Sequence, residues 1–389
     1  MTRLPASASY ELLYSFAQDG KPNDGRTPLA NLIVTGGALY GTTQDGGITN
    51  DQCDLGCGTV FTATTGGAER VLYRFRGGGD GAAPAAGLLA INGTLFGTTR
   101  GGGGSVVCSG GCGTVFSLSA NGKNEKVLYR FTGGSGGLAP VAGLIRIGGA
   151  LYGTTEYGGA AAGSCFNGCG TAFKASIDGE RQSVIYRFKG GKDGSQPLGG
   201  LTLLNGTLYG TTLYGGTSTK YCSLGCGTIF KLGVNGKESV VYRFKYSPVG
   251  TDGAYPSAGL TLGNGTLYGT TMGGGNTGEG TVFKVSTSGV EHVIHRFNRG
   301  LNGTDGVYPL ASLIATKGTL YGTTRNGGAN GSGTVFKVTA AGIETLLYSF
   351  KGKPDGAQPH AGLVELDGAL YGSTMAGGTG GGTLFKLTP

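Results

Sequence analysis

The eight cysteines fall into four pairs of one spacing, C-x3-C: Cys53/Cys57, Cys108/Cys112, Cys165/Cys169 and Cys222/Cys226. Paired thiols at short range can grip a metal, run a redox cycle or form a staple. A zinc site needs four converging ligands, and none of the three histidines lies close in sequence to a pair. The C-x2-C spacing of a helical redox motif is also absent. An even count with local partners predicts four small disulfides, and with them an oxidising compartment.

Acid–base chemistry has a thin inventory. Glu156 and His360 are the weak catalytic candidates, whereas His292 and His295 sit in a β-type run and read as structural. The motif DGxxP supplies Asp24, Asp80, Asp193, Asp252, Asp305 and Asp355, with Gly136 where a seventh would stand. Such a ring raises calcium, but one carboxylate per unit falls far short of six to eight oxygen ligands. Asp-Gly ahead of proline is ordinary turn chemistry. No metal and no other cofactor is therefore expected, and calcium stays an unsupported option. Arg74, Arg130, Arg187, Arg243 and Arg296 form a basic ladder, broken by Ser15 and Ser349, for which pairing with nearby Asp or carbonyl groups is the expectation.

The elements that must position these groups follow from composition and repetition. Among 389 residues, 85 are glycine and only 13% are charged, against about 7% and about 25% in ordinary domains. The glycines are interleaved with Leu, Val, Tyr and Phe, so they mark many tight turns around an apolar core. No apolar run approaches the roughly 18 residues of a membrane helix, so no membrane insertion is expected. The opening MTRLPASASY has no apolar core of signal-peptide length, and no leader is read in this chain. A net charge of +8 favours anionic partners in general.

Three signatures each recur seven times. LYGTT-like runs carry their aromatic at Tyr40, Phe96, Tyr152, Tyr209, Tyr268, Tyr321 and Tyr371, spaced 50 to 59 residues apart. GTVF-like runs begin at Gly58, Gly113, Gly170, Gly227, Gly280, Gly333 and Gly382, and VLYRF-like runs end at Phe16, Phe75, Phe131, Phe188, Phe244, Phe297 and Phe350. In one unit, AGLLAI (86–91) and TLFGTT (94–99) flank Asn92-Gly93, a pair suited to a type I′ turn. GTVFSLS (113–119) and EKVLYRF (125–131) flank a second such pair, Asn121-Gly122. The strands are short and roughly alternating, so each unit is a four-stranded antiparallel meander, A to D.

Seven such meanders predict an all-β, seven-bladed β-propeller forming a single domain over 1–389. The blades are placed at about 27–75, 83–131, 139–188, 196–244, 255–297, 308–350 and 358–389, the last completed by 10–16. The last unit stops before its D strand and the first segment is a D strand alone, so the N-terminal strand should close the ring.

All A–B turns are short, so the long loops gather on the other face, where function is sought. After the paired threonines the first loop positions vary most: Gln44, Arg100, Glu156, Leu213, Met272, Arg325 and Met375 are expected near the channel mouth, with Tyr157 and Tyr214 adding aromatic surface. Cysteine pairs occur only in the four longer B–C loops, where a local cross-link offsets the entropy of ordering.

The pattern NGTLYGTTxxGG…GTVFKV…GxExVLYRFxGGxDGxxPxAGL resembles the GloVer tandem repeat of bacterial extracellular proteins, with close matches at 205–259 and 265–313 and coverage of nearly all of 10–389. The resemblance implies a secreted or surface-displayed protein and supplies no catalytic residue or ligand. Three functions are weighed. First comes a binding module for an extracellular polysaccharide, through several similar sites. Second is a structural or adhesive protein binding a surface protein. Third is a polysaccharide lyase or hydrolase at the channel mouth. No specific nucleic-acid partner is expected.

Overall fold

A computed structural model describes residues 8–17, 23–159, 165–248, 250, 252–298 and 305–389. The opening residues 1–7, read above for a leader, lie outside them. Seven four-stranded antiparallel sheets form a ring, a seven-bladed β-propeller, with no α-helix among the described residues. Blade two is representative: A is Leu89–Ile91, B Thr94–Thr99, C Thr114–Ser119 and D Lys126–Arg130. The N-terminal strand Ser9–Ser15 pairs antiparallel with Thr383–Thr388, as the truncated last repeat required.

The signatures acquire physical meanings at the blade interfaces. Phe75, ending strand D of blade one, meets Phe116 of strand C in blade two edge-to-face, with ring centroids 5.1 Å apart. The same contact recurs around the ring, ending with Phe350–Phe385 and Phe16–Phe61. The glycine of LYGTT makes room for that phenylalanine. A Cβ on Gly97 would stand 2.6 Å from Cζ of Phe116.

The two threonines divide their labour. Thr99 shares a hydrogen bond with Thr114 inside the blade (2.8 Å), while Thr98 donates to the Ala142 carbonyl of the next blade (3.5 Å).

Two expectations need correction. Strands B and C do not alternate between core and solvent. Ala150–Thr155, for instance, is buried throughout, because each blade is packed between two neighbours. Asn92 and Gly93 both have positive φ (48° and 76°), as type I′ demands, but at Asn121-Gly122 only Gly122 does. That turn is longer, closed by the Ser119 N–H on the Lys123 carbonyl.

Candidate functional site

The channel mouth is built from the loop between blades. Ahead of each proline, one residue takes the left-handed conformation: Thr27, Ala83, Ala139, Gln196, Tyr255, Tyr308 and Gln358, with φ from 54° to 61°. Non-glycine residues rarely do so. Each uses its backbone twice. Its carbonyl accepts the N–H of the residue after the paired threonines, so Gln44, Arg100, Glu156, Leu213, Met272, Arg325 and Met375 are all held by one bond of 3.0–3.1 Å. Its own N–H donates to the end of the preceding B–C loop. In four copies the acceptor is the carbonyl of the second cysteine: Cys57, Cys112, Cys169 or Cys226.

All four C-x3-C pairs are disulfides, with Cα–Cα distances of 5.1–5.2 Å. Such bonds persist in oxidising surroundings. Each staple therefore stands two backbone hydrogen bonds from a mouth residue, respectively Arg100, Glu156, Leu213 and Met272. The spacing of cysteines pointed to loop closure; this relay into the neighbouring blade left no mark in the cysteine pattern itself.

Gln44, Arg100, Glu156, Leu213, Met272 and Arg325 line one open cavity of about 480 Å³. Met375 keeps the shared backbone bond, but its side chain is not part of that lining. Tyr157 and Tyr214 lie one residue further out, in a smaller groove between the stapled loops of blades three and four. Apart from His360, sequence reasoning missed a second ring, the residue after each proline. It brings Leu29, Val141, Leu198, Leu310 and His360 into the wall. The signal was present as one variable position inside an otherwise repeated PxAGL.

Charge is distributed unevenly there. Arg100 and Glu156 form an ion pair at 3.4 Å. Arg325 has no carboxylate partner among the described residues, and its Nε is buried without a hydrogen bond. His360 is half-buried, and desolvation together with the Arg325 charge pushes its pKa down to about 4, so it is neutral at pH 7. The Tyr157 hydroxyl is pushed up to about 12 by burial and by its bond to Glu156.

Among the described residues Glu156 is the sole acidic side chain in the lining. The usual glycosidase chemistry takes two facing carboxylates.

The DGxxP aspartates are committed to the turns. Asp80 accepts the Tyr73 hydroxyl (2.8 Å) and the Arg76 N–H (2.8 Å), and Asp24, Asp193, Asp252 and Asp355 repeat the pattern. Among the described residues no three His, Cys, Asp or Glu side chains are grouped to hold a metal. No helix among them is long and apolar enough to cross a membrane.

Fold and repeat together define a seven-bladed propeller assembled from one tandem unit. The Gloeobacter/Verrucomicrobia repeat profile matches residues 2–163, 47–247 and 217–389, so the chain belongs to that repeat family.

Among solved structures, the Pyrococcus horikoshii acylaminoacyl peptidase superposes with a TM-score of 0.51 at 7% identity, over 93% of this chain and 51% of that one. A chain of a nidogen/laminin complex gives 0.44 at 13% identity, over 76% of this chain and 91% of that one. A luciferin-regenerating enzyme gives 0.44 at 14% identity, over 76% and 88%. These likenesses concern the fold alone. No curated protein matches in sequence.

Proposed function

We propose that the protein is a secreted or surface-displayed binding module whose channel mouth takes a small acidic group, the carboxylate- or sulfate-bearing end of an extracellular glycan. One observation carries this reading: Arg325, a guanidinium without a carboxylate partner among the described residues, shares its cavity with the aliphatic side chains of Leu29, Leu198, Leu213, Met272 and Leu310 as well as with the Arg100–Glu156 ion pair. A guanidinium fork matches a carboxylate or sulfate bidentately. The aliphatic wall suits the apolar face of a sugar ring, and the volume falls within the range of small-ligand pockets. Neutral His360 adds hydrogen-bonding capacity without competing charge. The four disulfides support the extracellular part.

Titration of the intact protein with glucuronate and galacturonate, against glucose, tests this directly. Binding of the acids is expected, with an affinity at least about tenfold weaker in Arg325→Gln, since charge-assisted bonds contribute about 1.5–3 kcal/mol. Equal binding of glucose, or no effect of the substitution, would sink it.

A second reading rests on the exposed apolar tips of the stapled loops: Leu55, Val106, Val107, Phe166 and Leu224. Such tips suit a protein partner, and that reading prevails if no sugar binds, acidic or neutral.

A further inference from the structure

The D-strand arginines repeat a geometry that the mouth does not use. Arg74, Arg130, Arg187 and Arg243 each donate Nε to a backbone carbonyl of the adjoining interblade loop: Asn23, Gly79, Ser135 and Lys192, at 2.9–3.0 Å. Arg296 holds the same place in blade five. The expectation of carbonyl pairing is met, but only through Nε. The terminal nitrogens of these four make no hydrogen bond or ion pair among the described residues, and Arg130, Arg187 and Arg243 are exposed. One bond therefore fixes each guanidinium while its fork stays open, which lowers the entropy cost of meeting an anion.

No acidic side chain forms an ion pair with these four arginines among the described residues; Glu125 lies within electrostatic reach of Arg130. The nearest aspartates accept a tyrosine hydroxyl and backbone N–H groups, as described above. The array is densest between blades three and four. There Lys192, Arg243 and Lys245, with Thr217 and Ser218, line an open groove of about 740 Å³ that has no acidic side chain among the described residues. In blades six and seven the arginine is replaced by Ser349 and Ser15, whose hydroxyls accept the Ala329 and Thr379 N–H groups inside the blade. The cationic positions thus form an arc over five consecutive blades, with a gap of two.

We propose that this arc is a second binding surface, independent of the mouth, for a linear polysaccharide carrying an anionic group on its sugars. Its regular repetition matches a polymer rather than a single small anion, and contacts that are weak singly add along one chain. Nucleic acid fits less well. The D-strand tyrosines beside the arc, Tyr73, Tyr186 and Tyr242, are half-buried with their hydroxyls on aspartates, and of the three only Tyr242 lines the groove, a single ring rather than a row of stacking platforms for successive bases.

The test uses the intact protein with polygalacturonate, dextran sulfate and single-stranded DNA, each titrated across a salt series. The triple variant Arg130→Gln/Arg187→Gln/Arg243→Gln should bind both polysaccharides at least about tenfold more weakly at low salt, with a shallower salt dependence, as expected when ionic contacts are removed. Lys192→Gln/Lys245→Gln removes charge from side chains with no hydrogen bond among the described residues, so it should weaken binding even if the triple variant folds poorly. Lys317→Gln, an exposed cation in the A–B turn of blade six on the opposite face, should leave polymer binding unchanged. A preference between polygalacturonate and dextran sulfate identifies the anion as carboxylate or sulfate. Polymer binding unaffected by both rim variants, or tighter binding of DNA at equal charge, would overturn the proposal.

Discussion

Deleting residues 1–17 should abolish soluble, cooperatively folding protein, and Phe16→Ala alone should cost about 3–5 kcal/mol, the range for losing a buried phenylalanine. The deletion removes the outer strand of the last blade, paired from Ser9–Thr388 to Ser15–Thr383. It also removes Tyr10, stacked on Tyr348 at 4.1 Å, and Phe16, fully buried against Phe61 at 5.1 Å. What remains is an unpaired edge on Thr383–Thr388, whose Leu384, Phe385 and Leu387 are fully buried in the intact ring. An apolar open edge is a template for aggregation. Thermal melting and light scattering of the truncated chain, with and without a peptide of residues 8–17, measure this. A truncated protein that melts cooperatively at the original temperature would show that the ring holds without its clasp.

The ring was legible because its determinants are short-range and repeated seven times. Turn pairs, threonine pairs and the phenylalanine each read out locally, and repetition averages away the noise in any single copy. The channel-mouth residues were legible by contrast, as the variable positions inside a constant frame. Three features were not. The left-handed residue ahead of each proline is Thr, Ala, Gln or Tyr, so its backbone carries no residue-type signature. The ring formed by Leu29, Val141, Leu198, Leu310 and His360 depends on how deeply the interblade loop enters the channel, which only packing sets. Burial on both faces of strand B follows from blades stacking face to face, and the strand pattern alone resembles a half-exposed one.

A fourth feature was hidden because it spans two repeats, and it carries the other large expected effect. The glutamate that begins strand D packs beside the aspartate and tyrosine of the preceding blade. Tyr73 donates to Asp80 at 2.8 Å and to Glu125 of the next blade at 3.3 Å. Burial, reinforced by the neighbouring aspartate, pushes these glutamates up from the ordinary 4.5: Glu125 to about 6, Glu238 and Glu344 to about 7, and Glu291 to about 8. The sequence contains its own control. Where Gly136 replaces the aspartate, the glutamate is Gln182, so both carboxyl groups are lost together. A glutamine has the shape of a protonated glutamate and cannot ionise.

Folded-state values above the unfolded one mean that stability is fully present below about pH 4.5 and is lost as pH rises through the folded values. His360, and His295 in the tyrosine position of blade five, are lowered mainly by burial, so they act in the opposite sense below pH 6.5. Between pH 6.5 and 9 each of these two histidines has only its last half-proton to lose in the unfolded state, an opposing effect of about 0.4 kcal/mol, and the carboxyl ring governs the slope. Stability should therefore fall over that window, with Glu291 alone contributing roughly 2 kcal/mol.

Glu291 faces Asp252 and Tyr242 from the preceding blade and Arg296 on its own strand, and only the arginine favours its ionised form over the protonated one by charge. Glu291→Gln should match the parent below about pH 4.5, and its advantage should grow by about 2 kcal/mol between pH 6.5 and 9 in denaturant unfolding. Parallel stability curves for the two proteins across pH 6.5–9 would rule out a protonated Glu291 in the folded ring.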